Sequence, residues 1–169
     1  MLDLETMGNG SNATIIAIGA VYFDNKSVLS RFYVNVDRKS CEDRGFISDE
    51  STIKWWSEQS DAAKSALLVD PEDVIDALQM FREWLNDLGT PLKNIEMWGN
   101  GAMFDNTILG NAYKSCRMQI PWSFWNDRCY RTVKSMNPSI KLERVGTHHN
   151  AVDDAESQAL HLINILNNQ

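Results

Sequence analysis

Residues 3–36 read DLETMGNGSNATIIAIGAVYFDNKSVLSRFYVNV, and this stretch decides the fold. After a turn rich in glycine and asparagine, the dense apolar run Ile15–Phe23 predicts a strand. Residues 24–27 predict a hairpin turn, and the apolar and polar alternation over residues 28–36 predicts another strand. The chain is therefore predicted to open as an antiparallel meander of three strands, the first of which carries Asp3 and Glu5.

The side chains of Asp3 and Glu5 are expected to point the same way, because residues two apart in a strand share a face. Two carboxylates on one face repel each other unless something positive lies between them. Only Met1 and Leu2 precede Asp3. The first strand is thus expected to be cut short, whether the native start lies further upstream or the numbering begins inside the strand.

Helical patterns dominate the rest of the chain. Residues 51–56 and 60–68 predict two short helices. Residues 71–89 predict a long one, with Pro71 at its start, Glu72 and Asp73 in its first turn, and Gly89 at its end. Further on, the predicted elements are a strand at 95–98, a helix at 106–115, an aromatic segment 121–136 that ends in a helix, and a closing helix within 148–168. Without repeats or linkers, the sequence predicts one α/β domain over residues 1–169, with helices on a central mixed sheet.

The composition restricts the partners and the compartment. A net charge of −7 argues against nucleic acid, unless several acids are metal ligands, since two divalent cations would add four positive charges where a phosphate must lie. No run of about 18 apolar residues exists, so no membrane-spanning segment is expected. Three unpatterned cysteines and the lack of a signal peptide predict a cytoplasmic protein.

Acids stand at three places where a core-facing pattern would favour apolar residues. Asp3 and Glu5 are the first, Asp105 follows a glycine-containing segment, and Asp154 follows His149 with four residues between them. Each of the later ones also has an ordinary explanation. Asp105 could be a helix N-cap, Asp154 a first-turn acid that answers the helix dipole, and His149 a surface histidine.

In this order, the five residues resemble the DEDDh branch of the DnaQ-like 3′–5′ exonucleases. The segments DLETMGNGSNATIIAIGAV, STIKWWSEQSDAA and FWNDR are also similar to phage- and prophage-encoded 3′–5′ exonucleases, some of them exonuclease VIII-like, with a related bacterial branch that acts on RNA. The resemblance implies a ribonuclease H-like fold and, if the protein is phage-encoded, a location in the host cytoplasm.

The resemblance also implies a metal-dependent mechanism. Asp3, Glu5, Asp105 and Asp154 would hold two Mg²⁺ or Mn²⁺ ions, with Asp3 bridging them, since hard cations prefer oxygen ligands. His149 would take the proton of the attacking water as general base. The neighbouring His148 is an alternative for that role.

Aromatic and basic residues are candidates for holding the strand end. Met7 is expected to wedge against the terminal base, and Arg128 and Arg131 could reach phosphates, although exposed charges are equally common. Bases could stack on several aromatic residues, for which core packing is the ordinary alternative. These aromatic candidates are Trp55, Trp56, Phe104, Trp122, Phe124 and Trp125.

The sequence therefore predicts a 3′–5′ exonuclease that releases nucleoside 5′-monophosphates, with single-stranded DNA or free 3′ ends as substrate. Two alternatives within enzymes stay open, an exoribonuclease and a phosphodiesterase of short oligonucleotides. A third alternative, from another class, is a non-catalytic nucleic-acid-binding accessory protein. A second copy of the chain, in a homodimer, is an open alternative as partner.

Overall fold

A computed structural model describes residues 1–168, and its first three strands form the predicted meander. They are β1 (Leu2–Thr6), β2 (Ile15–Phe23) and β3 (Val28–Asn35). β2 pairs antiparallel with both neighbours, so that Asp3 lies opposite Gly19 and Glu5 opposite Ala17. The acidic pair thus lies in the middle of a well-paired strand.

Two short parallel strands complete the sheet on the other side of β1. β4 (Met97–Gly99) pairs with β1 through Leu2 and Gly99, and β5 (Asp127–Cys129) pairs with β4. The order is β3-β2-β1-β4-β5, which makes β1 the central strand. The prediction of an α/β protein with a mixed central sheet and a ribonuclease H-like fold is confirmed. β5 itself was not predicted, because a strand of three residues leaves no period in the sequence.

The helices cover both faces of this sheet. Their bounds are α1 (Arg38–Glu42), α2 (Glu50–Ser57), α3 (Asp61–Ala66), α4 (Val74–Asp87), α5 (Asp105–Ser115), α6 (Tyr130–Met136) and α7 (Ala151–Asn167), with 3₁₀ turns at Leu92–Asn94 and Phe124–Asn126. In the described residues, no helix has the length and apolar character of a membrane-spanning segment.

The prediction that the long helix begins at Pro71 is wrong. Asp73 is the N-cap of α4 and accepts a hydrogen bond from the backbone N–H of Ile75. Glu72 instead continues the sheet, since its N–H donates to the carbonyl of Asn35 at 2.9 Å and its carbonyl accepts from Asp37 at 2.8 Å. Backbone pairing with the end of β3 outweighs the local helix signal there.

The two faces of β1 differ in what packs on them. Leu2 and Leu4 belong to the larger apolar core, together with Phe81 of α4 and Leu109 of α5. Met1 belongs to a second cluster formed with α6 and α7. Because side chains alternate along a strand, Asp3 and Glu5 face α7.

Candidate active site

Asp154 reaches the acidic pair because α7 begins very close to the sheet. Asn150 caps this helix by accepting hydrogen bonds from the N–H groups of Val152 and Asp153. A Cβ atom at Gly19 of β2 would lie only 2.1 Å from the carbonyl carbon of Ala151. Only glycine allows this approach, which carries the first turn of α7 against β1 and β2.

The carboxylates of Asp3, Glu5 and Asp154 consequently converge. One oxygen from each of the three lies within 4.8 Å of the others. Gln158, one turn after Asp154 on α7, donates to Asp3 Oδ1 at 2.8 Å. We call these three residues the acid cluster, and Gln158 fixes the orientation of one of its carboxylates.

Asp105 lies beside the acid cluster but is not a member of the group within that mutual distance, among the residues described. It is the first residue of α5, after the short loop that follows β4, and its side chain is buried. Its Oδ1 accepts a hydrogen bond from the N–H of Leu4, on β1 between the two cluster acids, at 3.2 Å. Asp105 therefore lies next to the group of three carboxylates but not within it.

Burial and mutual repulsion strongly disfavour ionisation of these acids. The pKa of Asp3 is raised well above its usual value by burial and then by the charges of Asp105 and Glu5. Burial, followed by the charges of Asp154 and Asp105, raises the pKa of Glu5 to about 8. The pKa of Asp105 is raised to about 7, with burial as the largest cause. A bound cation would remove this cost.

The acid cluster fits a divalent metal ion in its chemistry. Every donor is a carboxylate oxygen, the type that Mg²⁺ and Mn²⁺ prefer. Glu5 Oε1 is buried and has no hydrogen-bond partner. A buried acceptor without a partner is costly, and a metal ligand bond at this position would satisfy it. These residues could therefore hold a divalent cation.

His149 lies at the edge of the acid cluster, on the segment that leads into α7. Its backbone has a left-handed φ of 64°, and its N–H donates to Asp154 Oδ2 at 2.9 Å. The imidazole stacks on His148 at 3.7 Å between ring centroids and meets the edge of Trp55 at 4.8 Å. Burial and the neighbouring His148 lower the pKa of His149, so the ring is neutral near pH 7. Ring nitrogens of both histidines lie within 4.8 Å of an Asp154 oxygen, so both candidates adjoin the site.

Arg144 is a neighbour that the sequence did not indicate. Its guanidinium forms an ion pair with Asp154 Oδ1, although the Arg144 side chain is 47% exposed. Gln158 was also missed, but its position four residues after Asp154 could have revealed it, since residues at that spacing share a helix face. Arg144 lies in an irregular segment, where no periodic pattern exists to find it.

A cleft of about 430 Å³ opens beside the acid cluster. Glu5, Asn9 and Thr52 contribute polar groups to it, and its aromatic walls are Trp55, Trp56 and Phe104. This volume lies within the range of pockets that bind small organic ligands. The cleft thus combines three aromatic side chains with a few polar groups.

The aromatic residues of the cleft differ in how free they are. Trp56 is only 4% exposed, and its Nε1 donates to the carbonyl of Thr6 at 2.9 Å. Met7 packs against Trp56 and Ile16 in a small apolar cluster. Trp55, in contrast, is 40% exposed. Trp56 and Met7 therefore support the wall of the cleft, and Trp55 presents the accessible ring.

The structure does not bring Trp125 and Arg128 into the cleft. Trp125 stacks on Phe124 on the surface, with centroids 4.4 Å apart. Arg128 donates to Glu96 Oε1 at 2.7 Å. Asp127, which precedes Arg128, pairs with Met97 at the start of β4. Asp105, in contrast, follows the end of that strand. The aromatic content of this segment suggested substrate contact, but its place in the sheet directs these side chains elsewhere.

Trp122 and Arg131 also have structural partners. Trp122 is buried, and its Nε1 donates to Asp127 Oδ1 at 2.9 Å. Arg131 donates to the carbonyl of Asn100 at 2.6 Å, in the loop between β4 and α5. Core packing therefore accounts for Trp122, whereas Arg131 stays near the loop that precedes Asp105.

Comparison with known proteins gives two matches. The family model described as the 3′–5′ exoribonuclease Rv2179c-like domain matches residues 1–166. An exodeoxyribonuclease of Enterobacteria phage T4 is 28% identical over 157 residues, covering 78% of this chain and 68% of that protein. The family match includes every residue of the acid cluster as well as Asp105 and His149.

Proposed function

The chain belongs to the Rv2179c-like 3′–5′ exoribonuclease domain family, and from this membership we propose that it is a two-metal 3′–5′ exonuclease of the DEDDh type. It would shorten a nucleic acid strand from its 3′ end and release nucleoside 5′-monophosphates. The family match spans residues 1–166, and residues from both ends of that span meet in the acid cluster. Both facts support one exonuclease domain over residues 1–169.

One observation carries the proposal. Three buried or partly buried carboxylates have oxygens within 4.8 Å of one another, and one buried oxygen among them has no hydrogen-bond partner. Such a group repels itself unless cations neutralise it. The ion pair of Arg144 with Asp154 compensates only part of this cost, because Asp3 and Glu5 form no ion pair among the described residues.

The residues of the site have separate roles in this proposal. Asp3, Glu5 and Asp154 would hold the metal ions, with Asp105 assisting from its position beside them. When bound, two Mg²⁺ or Mn²⁺ ions activate the attacking water and stabilise the leaving oxygen. Gln158 keeps Asp3 oriented through its hydrogen bond to Oδ1.

His149 would accept the proton of the water that attacks the terminal phosphodiester. The bond from phosphorus to the 3′ oxygen of the preceding nucleotide then breaks, and that oxygen acquires a proton. Because the pKa of His149 is lowered by burial and by His148, its imidazole is in the neutral form that a base requires. Trp55 lies edge-on against this imidazole and restricts its rotation.

The cleft beside Glu5 would receive the terminal nucleoside. Phe104, just before α5, and Trp55 of α2 both line it, and base stacking on aromatic rings tolerates every sequence. We propose single-stranded DNA as substrate, and the name of the phage relative, an exodeoxyribonuclease, supports DNA. Single-stranded RNA is the second candidate, because the family description names an exoribonuclease.

The test is digestion of single-stranded DNA and RNA of the same sequence, each labelled at the 5′ end, with Mg²⁺, Mn²⁺ or EDTA. We expect a ladder shortened from the 3′ end with either metal and no digestion with EDTA. Asp3→Asn should abolish digestion, whereas Asp76→Asn, which changes an exposed acid of α4, should not. Release of the labelled 5′ nucleotide first, or equal cutting of circular and linear strands, would overturn the proposal.

A further inference from the structure

A second groove near the acid cluster carries an unusual concentration of positive charge. It has a volume of about 530 Å³ and lies between α6 and the segment that follows it. Its cations are Arg131, Lys134 and Lys141, and no acid lines it. We call it the basic groove. In a chain with a net charge of −7, such a groove is a local exception.

The cations of the basic groove are not neutralised by carboxylates. Within the part of the chain that the structure describes, none of the three takes part in an ion pair. Lys141 Nζ donates to the backbone carbonyl of Pro138 at 2.9 Å, and Lys134 Nζ lies 6.0 Å from the centroid of the Tyr130 ring. The charges of Lys134 and Lys141 are therefore free to meet an anion, whereas Arg131 also interacts with Asp105.

Local structure directs these side chains to one place. Arg131 and Lys134 are three residues apart on α6 and thus share a helix face. Lys141 comes from the segment that follows α6 and also lines the groove. The groove thus collects three positive charges from a helix and from the segment that follows it.

The basic groove reaches the site through the loop between β4 and α5. Arg131 donates to the carbonyl of Asn100, and its guanidinium carbon lies 3.3 Å from the position of a Cβ at Gly101. A Cβ at Gly99, the preceding glycine, would lie 3.2 Å from Asp105 Oδ2. The same loop leads to Phe104, which lines the cleft for the terminal nucleoside. Groove and cleft thus meet at one loop.

We propose that the basic groove binds the phosphodiester backbone of the substrate strand on the 5′ side of the bond to be cut. This inference rests on the proposed function and assigns the part of the substrate beyond the terminal nucleotide. The cleft has aromatic walls and no lining cation, which suits a nucleoside. The groove has cations and no lining acid, which suits phosphates. It would allow an acidic protein to bind an anionic strand.

The test is binding of a fluorescent single strand of 12 nucleotides, measured by anisotropy at several salt concentrations. Ca²⁺ replaces Mg²⁺, and a gel confirms that the strand stays intact. The test variant is Lys134→Gln with Lys141→Gln, because Arg131 also holds the loop at Asn100. The control is Lys26→Gln with Lys114→Gln, which removes the same charge from the β2–β3 turn and from the far end of α5.

The test variant should bind the strand on the order of 10-fold more weakly or worse at 0.1 M salt. Its slope of log K against log salt should fall by about 1.4, since each phosphate contact to a single strand contributes about 0.7. The control should keep the affinity and slope of the wild type. The test variant should lose the same affinity for DNA as for RNA, because both strands carry the same phosphates.

Unchanged affinity and slope in the test variant, an equal loss in the control, or a loss confined to one type of strand would overturn backbone binding in the groove. A thermal melt checks that both variants are folded. Since this measurement needs no hydrolysis, its failure is distinguishable from failure of the digestion test. Backbone binding in the groove could be refuted while digestion succeeds. Digestion could likewise fail while the groove still binds the strand.

Discussion

Replacing Glu5 by glutamine should stabilise the metal-free protein in a pH-dependent manner. The pKa of Glu5 is raised from 4.5 to about 8 by burial and by the charges of Asp154 and Asp105. The folded state therefore keeps a proton that the unfolded chain has already lost. Stability that is present below pH 4.5 should decline as the pH rises through about 8. The glutamine variant has no such group to ionise.

The size of the effect follows from the same pKa. Each tenfold change in proton affinity corresponds to about 1.4 kcal/mol, so ionised Glu5 costs the metal-free fold up to about 5 kcal/mol above pH 8. Because the neighbouring acids titrate together with it, we expect Glu5→Gln to raise the free energy of unfolding by about 2–5 kcal/mol at pH 8.5. At pH 5 the two proteins should differ by much less.

The assay is urea unfolding in EDTA at a series of pH values from 5 to 8.5, followed by tryptophan fluorescence. Glu58→Gln is the matched control, since Glu58 is exposed at the end of α2. Saturating Mn²⁺ should stabilise the wild type at pH 8.5 and the Glu5 variant far less, because binding to the folded state alone adds stability.

Two results would refute this reasoning. If the stability of the metal-free wild type is unchanged between pH 5 and 8.5, ionisation of Glu5 does not destabilise the folded state. A Glu5→Gln variant less stable than the wild type at pH 8.5 would mean that the carboxylate holds the fold together. In either case the acid cluster would not be a site whose charge repulsion a bound cation relieves.

Three further predictions follow from neighbouring residues. His149→Ala should lower kcat by roughly 10²–10⁴-fold with Mn²⁺ affinity little changed by calorimetry, and a larger loss in His148→Ala would move the role of base to that residue. Gly19→Ala should lower the free energy of unfolding by about 1–3 kcal/mol and weaken Mn²⁺ binding, because its Cβ would displace α7. Gly110→Ala, whose Cβ would lie 3.5 Å from its nearest neighbour, should instead stabilise α5 by up to about 1 kcal/mol, and equal effects at the two glycines would contradict this account. Arg144→Met should tighten Mn²⁺ binding about two- to fivefold, as expected from loss of a partly exposed ion pair that competes with the metal, and weaker binding would show that Arg144 supports the site.

The parts of the fold that the sequence revealed are those with a repeating pattern. The alternation from Val28 onward and the apolar run of β2 predicted the meander, and the spacing of Asp3 and Glu5 placed both on one face. β5, with three residues, has no period to detect. The start of α4 was misplaced at Pro71, since the pairing of Glu72 with β3 depends on residues distant in the chain.

The sequence could predict those features of the site that depend on the identity and order of its residues. The order of Asp3, Glu5, Asp105, His149 and Asp154, through its resemblance to a known family, predicted a metal site before any coordinates. Residues whose role depends on where the fold places them could not be predicted in this way. Nothing in the local sequence distinguishes exposed Trp125 from the tryptophans of the cleft.

Arg144 belongs to the same class as Trp125, because only the folded chain shows that it meets Asp154. Gly19 is a further case. Its role depends on the approach of Ala151, a residue far along the chain. Tertiary contacts of this kind decide the detailed geometry of the site and leave little trace in a single sequence.

The contact between Gln158 and Asp3 joins residues that are 155 positions apart in the chain. Contacts of such long range form slowly, because the entropy of closing a large loop must be overcome first. During synthesis, the β1–β3 meander can emerge from the ribosome and pair well before α7 exists. A growing chain without α7 therefore lacks Asp154 and Gln158 and has no complete acid cluster. The three carboxylates can thus meet only once α7 has been synthesised, so the last part of the chain to leave the ribosome completes the acid cluster.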